Sequence, residues 1–323
     1  MIRRLMQITA LLLAPATCLA ASPTSECRTI TDDSARLACY DAQFPPNPAL
    51  FDAADAPIEE ELPVERRARR ERAAEGNRFA LLPHRPNYIL PATYNASSDF
   101  DLYGARVGDG FADTEVKFQV SLKGVVADEL WRDSSVSVAY TQQSFWQLYA
   151  DDELSSPFRE TNYEPEIFWS IPQKWELFGF EAKQVLLGFN HQSNGRANPL
   201  SRSWNRLIGG LVMERGRLVL SAQGWLRADD PSRADDDNPD IQEFMGRAQL
   251  GAAYALGPHV LSMRAKSNLR KEHRGGVELN WTFPLTHNFR GLVQIYTGHG
   301  ENLADMENSN TRFGIGVALN DWL

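Results

Sequence analysis

The chain has 323 residues, of which 43% are hydrophobic, with a mean hydropathy of −0.39 and a formal net charge of −9. The acidic balance and the lack of a long basic patch argue against nucleic acid as a partner. No stretch after the N-terminal leader is apolar enough for a spanning helix, so a membrane role would have to use strands, in which only alternate residues need be apolar.

Residues 1–20 have the three-part form of a secretory signal peptide. Arg3 and Arg4 make the charged end, Ile8 to Ala14 the apolar middle, and Cys18-Leu19-Ala20 precedes a cleavage expected near Ala20 or Ala21. The apolar run is too short to span a bilayer. Pro15 stands where lipoprotein signals usually carry leucine, which disfavours lipidation at Cys18. Cleavage leaves Cys27 and Cys39, which in an exported protein read as a disulfide, two free thiols being the alternative. Thr31 to Phe44 has helical character, with Ala35, Leu37, Ala38 and Ala42 available for a small packed face, and Pro45, Pro46 and Pro48 end it. Residues 21–50 are thus expected to form a disulfide-linked periplasmic cap. Residues 51–86 follow as a charged linker, in which Glu59 to Glu61 give way to Arg66-Arg67-Ala68-Arg69-Arg70. Such blocks are usually solvated; a partner-binding or lipid-headgroup role is the sharper alternative.

Beyond about Asn87 the pattern changes to alternating strands separated by turns. Val116, Phe118, Val120 and Leu122 alternate with Glu115, Lys117, Gln119 and Ser121; similar runs occur at 277–283 and 312–319. A soluble sandwich also alternates. Here, however, the polar parity repeatedly carries charges, as at Glu164 and Glu166 or Arg264 and Lys266, which is the pattern of a polar barrel interior inside an apolar wall. About twelve segments can be counted, near 88–94, 114–125, 134–146, 161–170, 180–192, 202–213, 217–226, 241–254, 258–267, 275–283, 288–297 and 311–321. The expected fold is therefore all-β: an antiparallel transmembrane barrel of about twelve strands over residues 87–323. Trp131, Trp146, Trp169, Trp225, Trp281 and Trp322 are candidates for interfacial girdles.

Within this pattern one stretch is anomalous. Val185, Leu187, Phe189, His191 and Ser193 share one parity, so a potential base and nucleophile lie on an apolar strand face. Asn205, 14 residues after His191, shares parity with Leu207 and Leu211, and an adjacent antiparallel strand would bring it to the same face. Serine, histidine and an amide that orients the ring make a triad variant. The spacing alone leaves an ordinary hydrogen-bonded surface pair open. Gln142 likewise shares parity with Val136, Val138 and Tyr140, placing an amide on the lipid-facing side. There it would either meet a protein partner or lie at the strand's outer end in water.

The run His191-Gln192-Ser193-Asn194-Gly195-Arg196 through Ser201-Arg202-Ser203-Trp204-Asn205-Arg206 resembles the active-site block of the outer-membrane phospholipase A family. So does Ser155-Ser156-Pro157-Phe158-Arg159-Glu160-Thr161-Asn162-Tyr163-Glu164-Pro165. Glu115 to Gln119, Tyr140-Thr141-Gln142, Asp237 to Ile241 and Leu319-Asn320-Asp321 are similar as well, so the likeness covers roughly residues 87 to 323. The resemblance implies a calcium-dependent, dimer-activated enzyme of the Gram-negative outer membrane that hydrolyses phospholipids at both acyl positions, and lysophospholipids. It implies Ser193 as nucleophile, His191 as base, Asn205 as the orienting amide and the Gly195 amide in an oxyanion hole. It further implies calcium ligands from the Arg196 carbonyl and the Ser201 hydroxyl of one subunit and Ser155 of its neighbour, with Gln142 at the dimer interface. Two positions depart from the family pattern: Asn198 stands where a close member would carry aspartate, and the chain ends Asp321-Trp322-Leu323 rather than on an aromatic. The competing expectations are a non-catalytic barrel or pore, and a soluble secreted lipase.

Overall fold

The computed structural model describes residues 27–43, 64, 67, 69, 80–98, 100–229, 236, 238–286 and 288–323. The leader, its cleavage site and most of the charged linker lie outside them.

Residues 27–43 belong to one compact unit. Cys27 and Cys39 are disulfide-bonded, and the helix Asp33–Gln43 (α1) starts with the Asp32 carboxylate accepting the Ala35 amide at 2.8 Å, the usual way of satisfying a first-turn N–H. The packed apolar face expected for this helix is absent. Leu37 is 61% exposed, and Ala35, Ala38 and Ala42 are exposed too. One disulfide and one cap hold a segment too small to bury a core of its own.

The second unit contains twelve principal strands: Tyr88–Asn95 (β1), Thr114–Ala127 (β2), Ser135–Trp146 (β3), Phe158–Pro172 (β4), Phe180–Ser193 (β5), Ser203–Arg215 (β6), Leu218–Arg227 (β7), Ala248–Leu256 (β8), His259–Ser267 (β9), Gly276–Pro284 (β10), Arg290–Gly298 (β11) and Asn310–Ala318 (β12). Each pairs antiparallel with its neighbours in sequence, and β12 pairs β1, so the sheet closes into a barrel without edges. One end has tight connections. Gly216 and Gly257 each adopt φ 55° in two-residue hairpins, a backbone conformation that side chains with a Cβ resist. The other end carries the long connections, residues 96–113, 194–202, 228–247 and 299–309. Among the described residues no helix is long and apolar enough to cross a membrane.

The alternation sorts side chains as expected. Outward positions such as Val120, Ile167, Leu250, Leu279 and Ile295 are exposed apolar residues, whereas inward positions hold buried charges in pairs. Lys117 contacts Glu301 at 3.0 Å, Arg312 bridges Glu301 and Glu115, and Arg159 reaches Glu115 at 2.8 Å. A second set joins Arg85, Glu164, Glu166 and Arg206. Buried charge is tolerated only when compensated in this way. Arg85 lies ahead of β1, so the segment before the first strand also contributes to the filled interior.

Three local expectations are corrected. Residues 241–254 are not strand throughout: Ile241–Phe244 forms a helical turn (α2) and the strand begins only at Ala248. Ile241, Phe244 and Met245 pack with Trp204, Trp225, Leu303 and Met306 into an apolar plug at the long-loop end, and the i, i+3 spacing of Ile241 and Phe244 suits a helical turn that buries one side. Trp225, considered for a girdle, is therefore interior. Trp322 also turns inward, where Arg264 sits over its ring at 5.2 Å.

Candidate functional site

The site is built on β5 and β6. Their register pairs Asn190 with Arg206, His191 with Asn205, Gln192 with Trp204 and Ser193 with Ser203. The inward pairs lock this register. Arg206 Nε donates to Asn190 Oδ1 at 3.0 Å, Trp204 Nε1 donates to Gln192 Oε1 at 2.9 Å, and both Arg206 and Asn190 bind Glu164 Oε1. A slip of one residue would turn every one of these groups outward, so the interior network fixes what stands opposite what on the wall.

On the wall, His191 Nδ1 lies 2.9 Å from Asn205 Oδ1. Both backbone groups of Asn205 point away from β5, its carbonyl accepting from Ala228 N and its amide donating to an Asp229 carboxylate oxygen at 2.5 Å. His191 and Asn205 are thus a non-hydrogen-bonded pair of the β5–β6 ladder, the kind in which opposed side chains come closest. Ser193 follows two residues on, on the same face, and Leu187, Phe189, Leu207 and Tyr163 surround the three as exposed apolar groups. His191, Ser193 and Asn205 are half-buried. No His191–Ser193 hydrogen bond is present among the described residues. Contacts of this kind commonly tighten only with substrate in place.

The connection 194–202 is stapled by buried Asn194. Its Oδ1 accepts from Arg202 N at 3.0 Å and Arg196 N at 3.3 Å, and its Nδ2 donates to Leu200 O at 2.8 Å. Gly195 has φ 66°, and a Cβ there would meet the Tyr163 ring at 3.2 Å, so the position disfavours a side chain on two counts. The Arg196 guanidinium is held by Glu160 at 3.3 Å and by the carbonyls of Phe158 and Arg159. Arg196 and Ser201 share this connection, while exposed Ser155 stands on the one between β3 and β4, with φ 54° after a short 3-10 turn. Gln142 is the eighth residue of β3, well inside the strand, in an outward polar track: Tyr140 donates to it at 3.0 Å and it donates to Ser144 at 3.2 Å.

One residue of the site went unnoticed in the sequence. Asp229 receives both the Asn205 amide N–H and, at 2.6 Å, its side-chain Nδ2. Nothing local marks it: it is one of several aspartates in an acidic connection. The lone hint is that it comes two residues after the end of a strand paired to Asn205's own.

A family model described as Phospholipase A1 matches residues 64–319. The chain is 40% identical over 253 residues to Phospholipase A1 of Escherichia coli K12, covering 76% of this chain and 83% of that one. Phospholipase A1 of Klebsiella pneumoniae is 39% identical over an equal length. Among solved structures, outer membrane phospholipase A from Escherichia coli superposes with a TM-score of 0.71 at 38% identity, over 76% of this chain and 94% of that one. The Salmonella typhi outer membrane phospholipase, a dimer with bound calcium, gives the same values.

Proposed function

The chain belongs to the phospholipase A1 family and is an outer-membrane phospholipase, a carboxylic ester hydrolase, and with that as premise we propose that its chemistry is done on the lipid-facing wall by Ser193, His191 and Asn205. The observation that carries the reading is the directly opposed His191–Asn205 pair at 2.9 Å, two residues from Ser193, among exposed apolar side chains. Ser193 Oγ attacks an acyl ester carbonyl as His191 takes its proton; His191 then returns a proton to the departing lysolipid oxygen, and water repeats the cycle on the acyl-enzyme. Asn205 holds the imidazole. The Gly195 amide donates to the oxyanion, its left-handed backbone turning the peptide at that point. A site on the wall reaches ester bonds of lipids that stay in the bilayer, and both acyl positions, as well as lysophospholipids, are accessible to it.

Calcium fits the donors offered. The Arg196 carbonyl and the Ser201 hydroxyl are hard oxygens of the kind calcium takes, and they lie on one connection that Asn194 closes. Among the described residues no group of three or more His, Cys, Asp or Glu side chains converges; the ligands proposed here are neutral oxygens, and Asn198 adds no carboxylate. Ser155 from a neighbouring protomer would complete the set, coupling calcium binding to a homodimer in which Gln142 lies at the interface. Bound calcium would supply positive charge beside the oxyanion. The same reading has residues 1–20 removed on export and residues 21–50 forming a cap ahead of the barrel.

A passive pore fits poorly: inward positions are filled by paired charges, and a cavity among Arg85, Glu164, Arg264, Lys266, Glu278 and Glu301 measures about 60 Å³, enough for a few waters. The test is phospholipid hydrolysis by the detergent-refolded chain with calcium and with chelator, beside Ser193→Ala. Release of fatty acid that needs both calcium and Ser193 is expected. Hydrolysis by Ser193→Ala would sink the proposed site, and full activity in chelator would remove the calcium.

A further inference from the structure

We propose that Asp229 is a positioning residue of the hydrolytic site, aligning the Asn205 amide and adding the negative charge that a serine–histidine–amide set lacks. The inference rests on the assignment of Ser193, His191 and Asn205 above and deepens it.

Hydrogen-bond capacity fixes which way the Asn205 amide faces. An ionised carboxylate only accepts, so the Asn205 side-chain atom facing Asp229 at 2.6 Å is the Nδ2 donor. The carbonyl Oδ1 must then be the atom facing His191 Nδ1 at 2.9 Å. An oxygen there only accepts, so Nδ1 carries the proton and Nε2 keeps its lone pair. That is the tautomer a general base needs. Without Asp229 the amide is free to rotate by half a turn and present Nδ2 to the ring, which would stabilise the opposite tautomer.

The position is also built rather than incidental. β7 ends at Arg227, whose register partner is Arg206. Asn205 therefore lies one residue beyond the ladder, and the loop replaces the missing strand: Ala228 N donates to the Asn205 carbonyl, while the second Asp229 oxygen takes the Asn205 amide at 2.5 Å. A single carboxylate thus grips Asn205 by backbone and side chain together. Asp229 keeps partial solvent contact, its side chain 31% exposed, and Arg227 Nε is 4.0 Å away. That guanidinium is engaged mainly by Asp236, at 2.7 Å. The charge on Asp229 accordingly remains available to polarise the amide and, through it, to favour the imidazolium formed as Ser193 loses its proton.

The experiment is a double-mutant cycle on the full chain, refolded in detergent with calcium, measuring kcat and KM on a dispersed phospholipid. Asp229→Ala and Asp229→Asn are each made in the parent and in Asn205→Ala. In the parent, Asp229→Ala is expected to lower kcat roughly ten- to hundredfold, the usual cost of losing a partner that orients a functional group, with KM unchanged. Asp229→Asn keeps the shape and one acceptor and so loses less, and it serves if the alanine variant folds poorly. In the Asn205→Ala background neither substitution should lower kcat further. Equal losses in both backgrounds would make Asp229 a loop anchor only and overturn the proposal, as would an unchanged kcat beside an impaired Asn205→Ala. Were Ser193→Ala as active as the parent, the underlying site would fail instead, which separates the two outcomes.

Discussion

The two faces of β5 and β6 solve opposite problems with similar residues. Facing inward, Asn190, Gln192, Trp204 and Arg206 are buried and mutually hydrogen-bonded, with Glu164 neutralising the guanidinium. Facing outward, His191, Ser193 and Asn205 are half-buried among exposed leucine and phenylalanine side chains, and the proposed base has a ring nitrogen with no hydrogen-bond partner among the described residues. Inside, these four side chains are spent on holding the barrel, because an unmet charge in a buried interior is costly. Outside, reactivity needs groups that are aligned yet not consumed. The inner face supplies the register, and Asp229 is proposed to orient Asn205, so His191 and Ser193 need carry few fixed bonds.

If this division holds, substitutions on the two faces should separate activity from stability. The largest effect is expected from His191→Ala, which should lower kcat by roughly four orders of magnitude or more, while thermal unfolding followed by tryptophan fluorescence shifts by no more than about 0.5 kcal/mol. A loss of stability with the activity would blur the distinction. Next comes Glu115→Ala on the inner face. It leaves Arg159 and Arg312 buried without a shared carboxylate, at an expected cost of about 3–5 kcal/mol in unfolding. The fraction that remains folded should keep normal turnover per molecule.

Gly195→Ala probes the junction between the faces. A methyl group at φ 66° and 3.2 Å from Tyr163 should displace the proposed oxyanion amide and reduce kcat roughly hundredfold, the scale of one lost donor. Assays with a product-like anionic inhibitor should show weaker binding in parallel. The smallest effect belongs to Gln142→Leu. Analytical ultracentrifugation in detergent should show dimerisation weakened by about 1–2 kcal/mol, the worth of an interhelical polar contact in membranes taken as a guide, with monomer unfolding unchanged. Unaltered association would remove Gln142 from the interface.

The sequence and the tertiary structure contributed different things, for a definite physical reason. Strand periodicity is local: side chains alternate every residue whatever the partner strand is. So the twelve strands, the charged interior, and the placement of His191 and Ser193 on an apolar face could all be read from runs of ten or so residues. Pairing of neighbours by short turns is nearly as local, which is why Asn205 could be expected beside His191. What lay beyond reach depends on contacts between distant segments. The helical turn at Ile241–Phe244 exists because Trp204, Trp225, Leu303 and Met306 leave an apolar hollow for it to fill. Trp225 and Trp322 turn inward rather than to the bilayer interface because that plug and Arg264 offer them a partner there. Asp229 meets Asn205 only because β7 ends one residue short and the chain folds back over β6. Alternation decides which way a side chain points; only the closed barrel and its connections decide what it meets.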